Sequence, residues 1–144
     1  MKYINKKAKF DYQISEKIEA GVVLTGPEAK SAKLGQIDLA HAFVKFRPSK
    51  FGSLEAWLIG AHIYPYIHAD NTNYDPLRTR KLLLNQREIL ALQSRMKQAR
   101  LFLVPTAMYT KSGVVKIELG LARVKKKYEK REAIKKRDLD RDIL

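Results

Sequence analysis

The chain has 144 residues, no cysteine, 45% hydrophobic residues, and 29 Lys plus Arg against 15 Asp plus Glu, for a formal net charge of +14. The length fits one domain with a tail, and the apolar share excludes wholesale disorder. The missing cysteines exclude a disulfide scaffold, a thiolate zinc site, an iron–sulfur cluster and a cysteine nucleophile, and a positive field this strong points to a polyanionic partner, nucleic acid or an anionic membrane.

The first residues, Met1-Lys2-Tyr3-Ile4-Asn5-Lys6-Lys7, lead into no apolar segment of the secretory type, and no run of about 18 apolar residues follows. A cytoplasmic protein with no membrane segment is expected. Phe10, Tyr12 and Ile14 alternate with Asp11, Gln13 and Ser15, and Ile18 leads to Val22-Val23-Leu24, a strand pattern. Thr25 followed by Glu28 three residues on is a capping box with Pro27 tolerated in the first turn, so a short helix starts there and stops near Gly35. Strands are expected over 42–47 and 54–63, around a turn at 48–53 rich in Pro, Ser and Gly. The polar stretch 65–79 reads as a functional loop because of its length.

Asn85 as N-cap, Glu88 at the third helical position and a Leu84–Ile89 staple predict a helix over 86–99, with Ile89, Leu92, Met96 and Ala99 on its apolar face. Two final strands, 101–109 and 114–122, are joined by Thr110-Lys111-Ser112-Gly113, a hairpin turn. About six strands and two or three helices in so short a chain predict a mainly β fold: an OB-like closed antiparallel barrel, in which closure removes exposed sheet edges.

Charge divides the chain. Residues 1–122 carry +9 and form the barrel, while residues 123–144 carry +5 with little apolar content. The second segment reads as a basic tail, disordered when free and able to fold into a helix when a polyanion neutralises it.

His41, His62 and His68 with Asp70 and Asp75 are the one grouping that suggests metal, but their spacing is not that of a chelating motif. The chain has no G-x-S-x-G elbow, phosphate-binding loop or dinucleotide glycine motif. The expectation is a non-enzyme without metal or cofactor; a metal-dependent nuclease, with cleavage lost on His68→Ala, stands as the least favoured reading. Three basic clusters say more: Asn5-Lys6-Lys7-Ala8-Lys9, Arg78-Thr79-Arg80-Lys81 and Arg123-Val124-Lys125-Lys126-Lys127-Tyr128. Any one alone is as well explained as a solvated patch. Three at element ends favour RNA or DNA, with Lys and Arg on phosphates and Tyr128 available to stack on an unpaired base. Trp57, Phe10 and Tyr12 read as core or half-buried sheet residues, and Glu28 has a structural task in its capping box.

The succession Asn5-Lys6-Lys7-Ala8, Glu19-Ala20-Gly21-Val22-Val23-Leu24-Thr25-Gly26, Glu28-Ala29-Lys30-Ser31, Ala61-His62-Ile63, Asp75-Pro76-Leu77-Arg78-Thr79-Arg80-Lys81-Leu82-Leu83-Leu84 and Lys130-Arg131 to Lys136-Arg137-Asp138 closely resembles the SmpB family of SsrA-binding proteins over almost the whole chain. The resemblance implies an OB-type barrel that binds the tRNA-like domain of transfer-messenger RNA and delivers it to bacterial ribosomes stalled on messages lacking a stop codon. It carries RNA contact onto Asn5, Glu19, Leu83 and Lys116, supported by Arg123, Lys125 and Lys126, while Lys6 and Lys7 come from the basic-cluster reading. It also implies a tail that enters the empty messenger channel at the small-subunit decoding centre. There Tyr128 would stack on a base, and Lys130, Arg131, Lys135 and Arg137 would meet ribosomal RNA phosphates. Glu129 stands where the family usually has Asp. A monomer is expected; the alternative is a generic RNA-binding OB protein of the translation machinery.

Overall fold

The computed structural model describes residues 2–125 and Arg131. The rest of the expected tail, including Lys126, Tyr128, Lys130, Lys135 and Arg137, lies outside the described residues. The elements in chain order are β1 (Lys2–Ile4), α1 (Lys6–Asp11), β2 (Tyr12–Val22), α2 (Gly26–Lys33), β3 (Ile37–Asp38), β4 (Phe43–Pro48), β5 (Leu54–Ile59), β6 (His62–Ile63), β7 (Arg80–Leu83), α3 (Gln86–Ala99), β8 (Phe102–Lys111) and β9 (Val114–Val124).

The two expected helices form where their caps place them. Thr25 and Glu28 make the reciprocal capping box of α2, and Asn85 and Glu88 that of α3. Helix α2 ends as a Schellman motif: Gly35 takes φ +77°, its N–H bonds to Ala32 O, and the Gln36 N–H reaches back to Ser31 O. Helix α1 was not expected. The Asn5 side chain caps it by accepting from the Ala8 N–H at 3.2 Å, so Phe10 lies in a helix and not in the alternating strand assigned to it. The Ser112-Gly113 turn between β8 and β9 has positive φ at both residues, the type I′ geometry that suits a two-residue hairpin.

Seven strands form one antiparallel sheet in the order β1-β8-β9-β2-β7-β5-β4, and β3 pairs with β6 in a small ribbon. The expected closure into a barrel is not found: β1 and β4 are edges with no ladder between them. β4 instead lies close to β8 without a ladder to it, and it carries Lys45, Arg47 and Pro48, residues that discourage further strand pairing. The single strand expected over 54–63 breaks at Gly60, whose φ of +80° and 2.7 Å clearance to His41 O admit no side chain. This break ends β5 and separates the two-residue β6.

One face of the sheet holds the main core, where Leu58, Leu82, Leu103, Met108, Ile117, Leu119 and Leu121 pack with Ile89 and Leu92 of α3 and Ala32 of α2. On the opposite face, Ala8 of α1 packs with Val104 and Ala122, bordered by Tyr12, Ile14 and Phe102. Gly120 makes this second contact possible, since a Cβ there would lie 2.7 Å from Ile14 Cγ2 and 2.9 Å from Thr106 Cγ2. Helix α1 therefore covers one end of the outer face and leaves the other end open.

Candidate nucleic-acid interface

On the open end of the outer face, strand register aligns residues from five strands in one row. Lys2 of β1 stands opposite Tyr109 of β8, Tyr109 opposite Lys116 of β9, Lys116 opposite Gly21 of β2, and Gly21 opposite Leu83 of β7. Glu19 lies two residues before Gly21, hence on the same face. Leu83 is 59% exposed, unusual for a leucine in a strand. Gly21 keeps it in place: a Cβ there would approach Leu83 Cδ1 to 3.1 Å and Cβ to 3.3 Å.

Glu19 is held by its neighbours. The Tyr109 hydroxyl donates to its Oε2, and Lys111 Nζ stands 3.5 Å from Oε1. That hydrogen bond from Tyr109, helped by the Lys111 and Lys116 charges, keeps its carboxyl below the ordinary value of 4.5. Burial and the bond to Glu19 push the Tyr109 phenol up to about 12. Lys2 Nζ sits 5.9 Å from the centre of the Tyr109 ring. The row thus presents a fixed anionic acceptor, an apolar side chain and cations on both sides. A carboxylate can accept from base or ribose donors, an exposed leucine can pack on an unstacked base, and lysines pair with phosphates. Composition and spacing did not single out Tyr109, Lys2 or Gly21. Their signal is the hairpin register, which sets Tyr109 across from Lys116 once the Ser112-Gly113 turn is fixed.

The other expected contacts fall beside this row. Lys6 and Lys7 are exposed at the start of α1, and Lys7 Nζ donates to His41 Nδ1 at 3.3 Å. With Lys2, Tyr3, Ile4, Asn5 and Ala40 they line a groove of about 510 Å³. Asn5 itself is 2% exposed, and its amide donates to Leu39 O at 3.0 Å and Pro105 O at 2.8 Å. Its side chain therefore holds the groove's floor and the helix cap and has no surface to offer RNA. Arg123 lies on β9 opposite Gln13, to whose Oε1 its guanidinium donates. The Lys125 ammonium donates to Lys9 O at 3.1 Å. Lys125, Lys9 and Lys17 line a second groove of about 330 Å³ with Tyr12 and Ile14, which extends the basic surface from the row toward the end of β9. Arg131 is exposed.

The Arg78–Lys81 cluster divides differently from its reading as surface charge. Arg80 is completely buried: it donates through Nε at 2.9 Å and Nη2 at 2.5 Å to Glu28 Oε2, and through Nη1 at 2.7 Å to Ala61 O. Arg78 reaches Glu28 Oε1 at 2.5 Å. The Tyr74 hydroxyl donates to Ile63 O at 2.8 Å and to Glu28 Oε2 at 3.4 Å. Burial alone would raise the Glu28 pKa, but hydrogen bonds from Arg78, the Thr25 amide and Arg80 outweigh it and hold it at about 2. Glu28 thus does more than cap α2. It ties that helix to the 65–79 loop and to β7, the strand whose last residue is Leu83. Among the described residues no three His, Asp or Glu side chains converge as a metal site, and no helix is long and apolar enough to cross a membrane.

Comparison with known proteins was made over this geometry. The model of the family described as SmpB protein matches residues 3–144. An SsrA-binding protein of Streptococcus pyogenes serotype M3 is 47% identical over 139 residues, covering 96% of this chain and 86% of that protein. One from Desulfitobacterium hafniense is 46% identical with the same coverage. A chain of a solved structure described as "tmRNA-SmpB: a journey to the center of the bacterial ribosome" superposes with a TM-score of 0.70 at 40% identity, over 92% of this chain and 94% of that one.

Proposed function

The chain belongs to the SmpB family, and from that premise we propose that it binds the tRNA-like domain of transfer-messenger RNA and delivers it to stalled bacterial ribosomes for trans-translation. The observation that carries the reading is the row itself. Glu19, Leu83 and Lys116, from three separated parts of the sequence, stand on one face of the adjacent strands β2, β7 and β9, Leu83 and Lys116 level with Gly21 and Glu19 two residues before it, with Tyr109 and Lys2 beside them. On this reading Glu19 accepts hydrogen bonds from the RNA, Leu83 packs on an unstacked base, and Lys116, Lys2, Lys6 and Lys7 meet phosphates. Asn5 acts by shaping the loop that presents Lys6 and Lys7. Arg123 and Lys125, with Lys126, continue the basic track.

The segment from 126 onward, with Tyr128, Lys130, Arg131, Lys135 and Arg137, is assigned to the messenger channel and decoding centre of the small subunit. A charged, thinly apolar segment suits folding on a polyanion. The protein acts as a monomer in the bacterial cytoplasm, by binding and without catalysis of its own. Deleting residues 126–144 tests the division of labour on ribosomes programmed with a message lacking a stop codon. The truncated protein should keep most of its affinity for the tRNA-like domain and fail to support transfer of the nascent chain. Equal loss of both activities would sink the two-site reading.

A further inference from the structure

Among the described residues, the large apolar side chain most exposed is Phe51, 95% exposed at the tip of the β4–β5 hairpin. The tip is built to hold the ring outward. Ser49 N–H bonds to Ser53 O at 2.7 Å, the two serine hydroxyls are 2.8 Å apart, and the Phe51 N–H donates to Ser49 Oγ at 3.2 Å. Gly52 closes the turn at φ +83°, and just after the turn the Leu54 N–H donates to Gln86 Oε1 at 3.1 Å, next to the start of α3. A tip this constrained loses little freedom when it binds.

Charge and register indicate what it binds. Residues 43–53 contain Lys45, Arg47 and Lys50 and no acidic residue, and all three cations are exposed. Ala56 pairs with Leu82, which sets Glu55 beside Leu83, and Arg47 pairs with Glu55. The row that begins at Lys2 therefore continues through Leu83 to Arg47, and Phe51 lies four residues past Glu55, at most about 14 Å along the strand direction. About four stacked nucleotides span that distance.

We propose that Phe51 stacks on an unpaired base of the same RNA that the Glu19–Leu83–Lys116 row holds, with Arg47 and Lys50 on the flanking phosphates. An aromatic ring between cations, continuous with an RNA-binding face, is the arrangement by which proteins hold unpaired bases. The proposal rests on the reading of that face given above.

The test is titration of the full chain with the isolated tRNA-like domain at several salt concentrations, comparing wild type, Phe51→Ala, Phe51→Trp, Lys50→Gln and Glu19→Gln. Phe51 buries almost nothing, so its variants keep the fold, which circular dichroism checks. Phe51→Ala should weaken binding about tenfold with an unchanged salt slope, since stacking displaces no counterions. Phe51→Trp should bind as wild type or tighter, and Lys50→Gln should lower the salt slope by about one contact. A benzoylphenylalanine placed at 51 should cross-link to the RNA in the two-component complex. Wild-type affinity for Phe51→Ala while Glu19→Gln is weakened would overturn the hairpin proposal and leave the row standing. So would the absence of any cross-link from position 51 to the RNA in that complex. A wild type that does not distinguish the tRNA-like domain from other RNA would remove the underlying reading and this proposal with it.

Discussion

Replacing Glu28 by Gln keeps the shape of the side chain and the capping box, since glutamine at the third helical position can still accept from the Thr25 amide. What it removes is the charge facing Arg80 and Arg78. Arg80 is 0% exposed and donates twice to one carboxylate oxygen, so the variant leaves a buried guanidinium opposite a neutral amide. Breaking a buried pair in this way costs about 3–5 kcal/mol. The titration behaviour supplies a second measure: a pKa of about 2 in the folded protein against an ordinary 4.5 corresponds to about 3 kcal/mol of stability from the ionised form. Because the folded-state pKa is the lower one, this contribution is complete above 4.5 and is lost as pH falls from there through about 2. Urea denaturation of wild type and Glu28→Gln at pH 7, with a series from pH 5 down to pH 2.5, measures it. The account expects a gap of about 3 kcal/mol at pH 7, equivalent to about 10 °C in melting temperature, narrowing steadily below pH 4.5. A gap that is absent at pH 7, or that stays constant down to pH 2.5, would refute the reasoning.

Three other substitutions probe the interface and its support. Tyr109→Phe removes the hydrogen bond to Glu19; the Glu19 carboxyl should then titrate closer to its ordinary value by NMR, and RNA affinity should fall several-fold with the fold intact. Gly21→Ala places a methyl about 3.1 Å from Leu83, so binding to the tRNA-like domain should weaken more than stability does, as read by paired titration and melting curves. Gly120→Ala drives a methyl to 2.7 Å from Ile14; this overpacking should cost about 1–3 kcal/mol, with RNA affinity unchanged in the fraction that remains folded.

Local chemistry was the legible part of the chain. Both capping boxes state their helices in four residues each, and α3 runs over the residues its apolar face and caps predict. Helix α1 escaped because six residues give too short a period to read, and its cap Asn5 stands in a run that scans as surface charge. Arg80 was misread for a different reason. Its partner Glu28 is 52 residues away, so nothing local distinguishes a buried arginine from the half-buried lysine beside it. The barrel expectation failed on the same kind of non-local fact: strand count argues for closure, but Lys45, Arg47 and Pro48 on β4 make an open edge tolerable. For the interface, Lys116 and Glu19 were named through a family resemblance, whereas Tyr109 and Gly21 come only from the register that sets them in one row.

The central claim is that this face recognises a particular RNA and does not merely attract polyanions, and parallel titrations against the tRNA-like domain and an ordinary tRNA across a range of salt test it most directly. Charge alone weakens both complexes together as salt rises, because every phosphate contact is paid in released counterions. The account predicts tighter binding to the tRNA-like domain with a preference that survives rising salt and that Glu19→Gln diminishes. Equal affinities that fall in parallel, indifferent to Glu19, would contradict it.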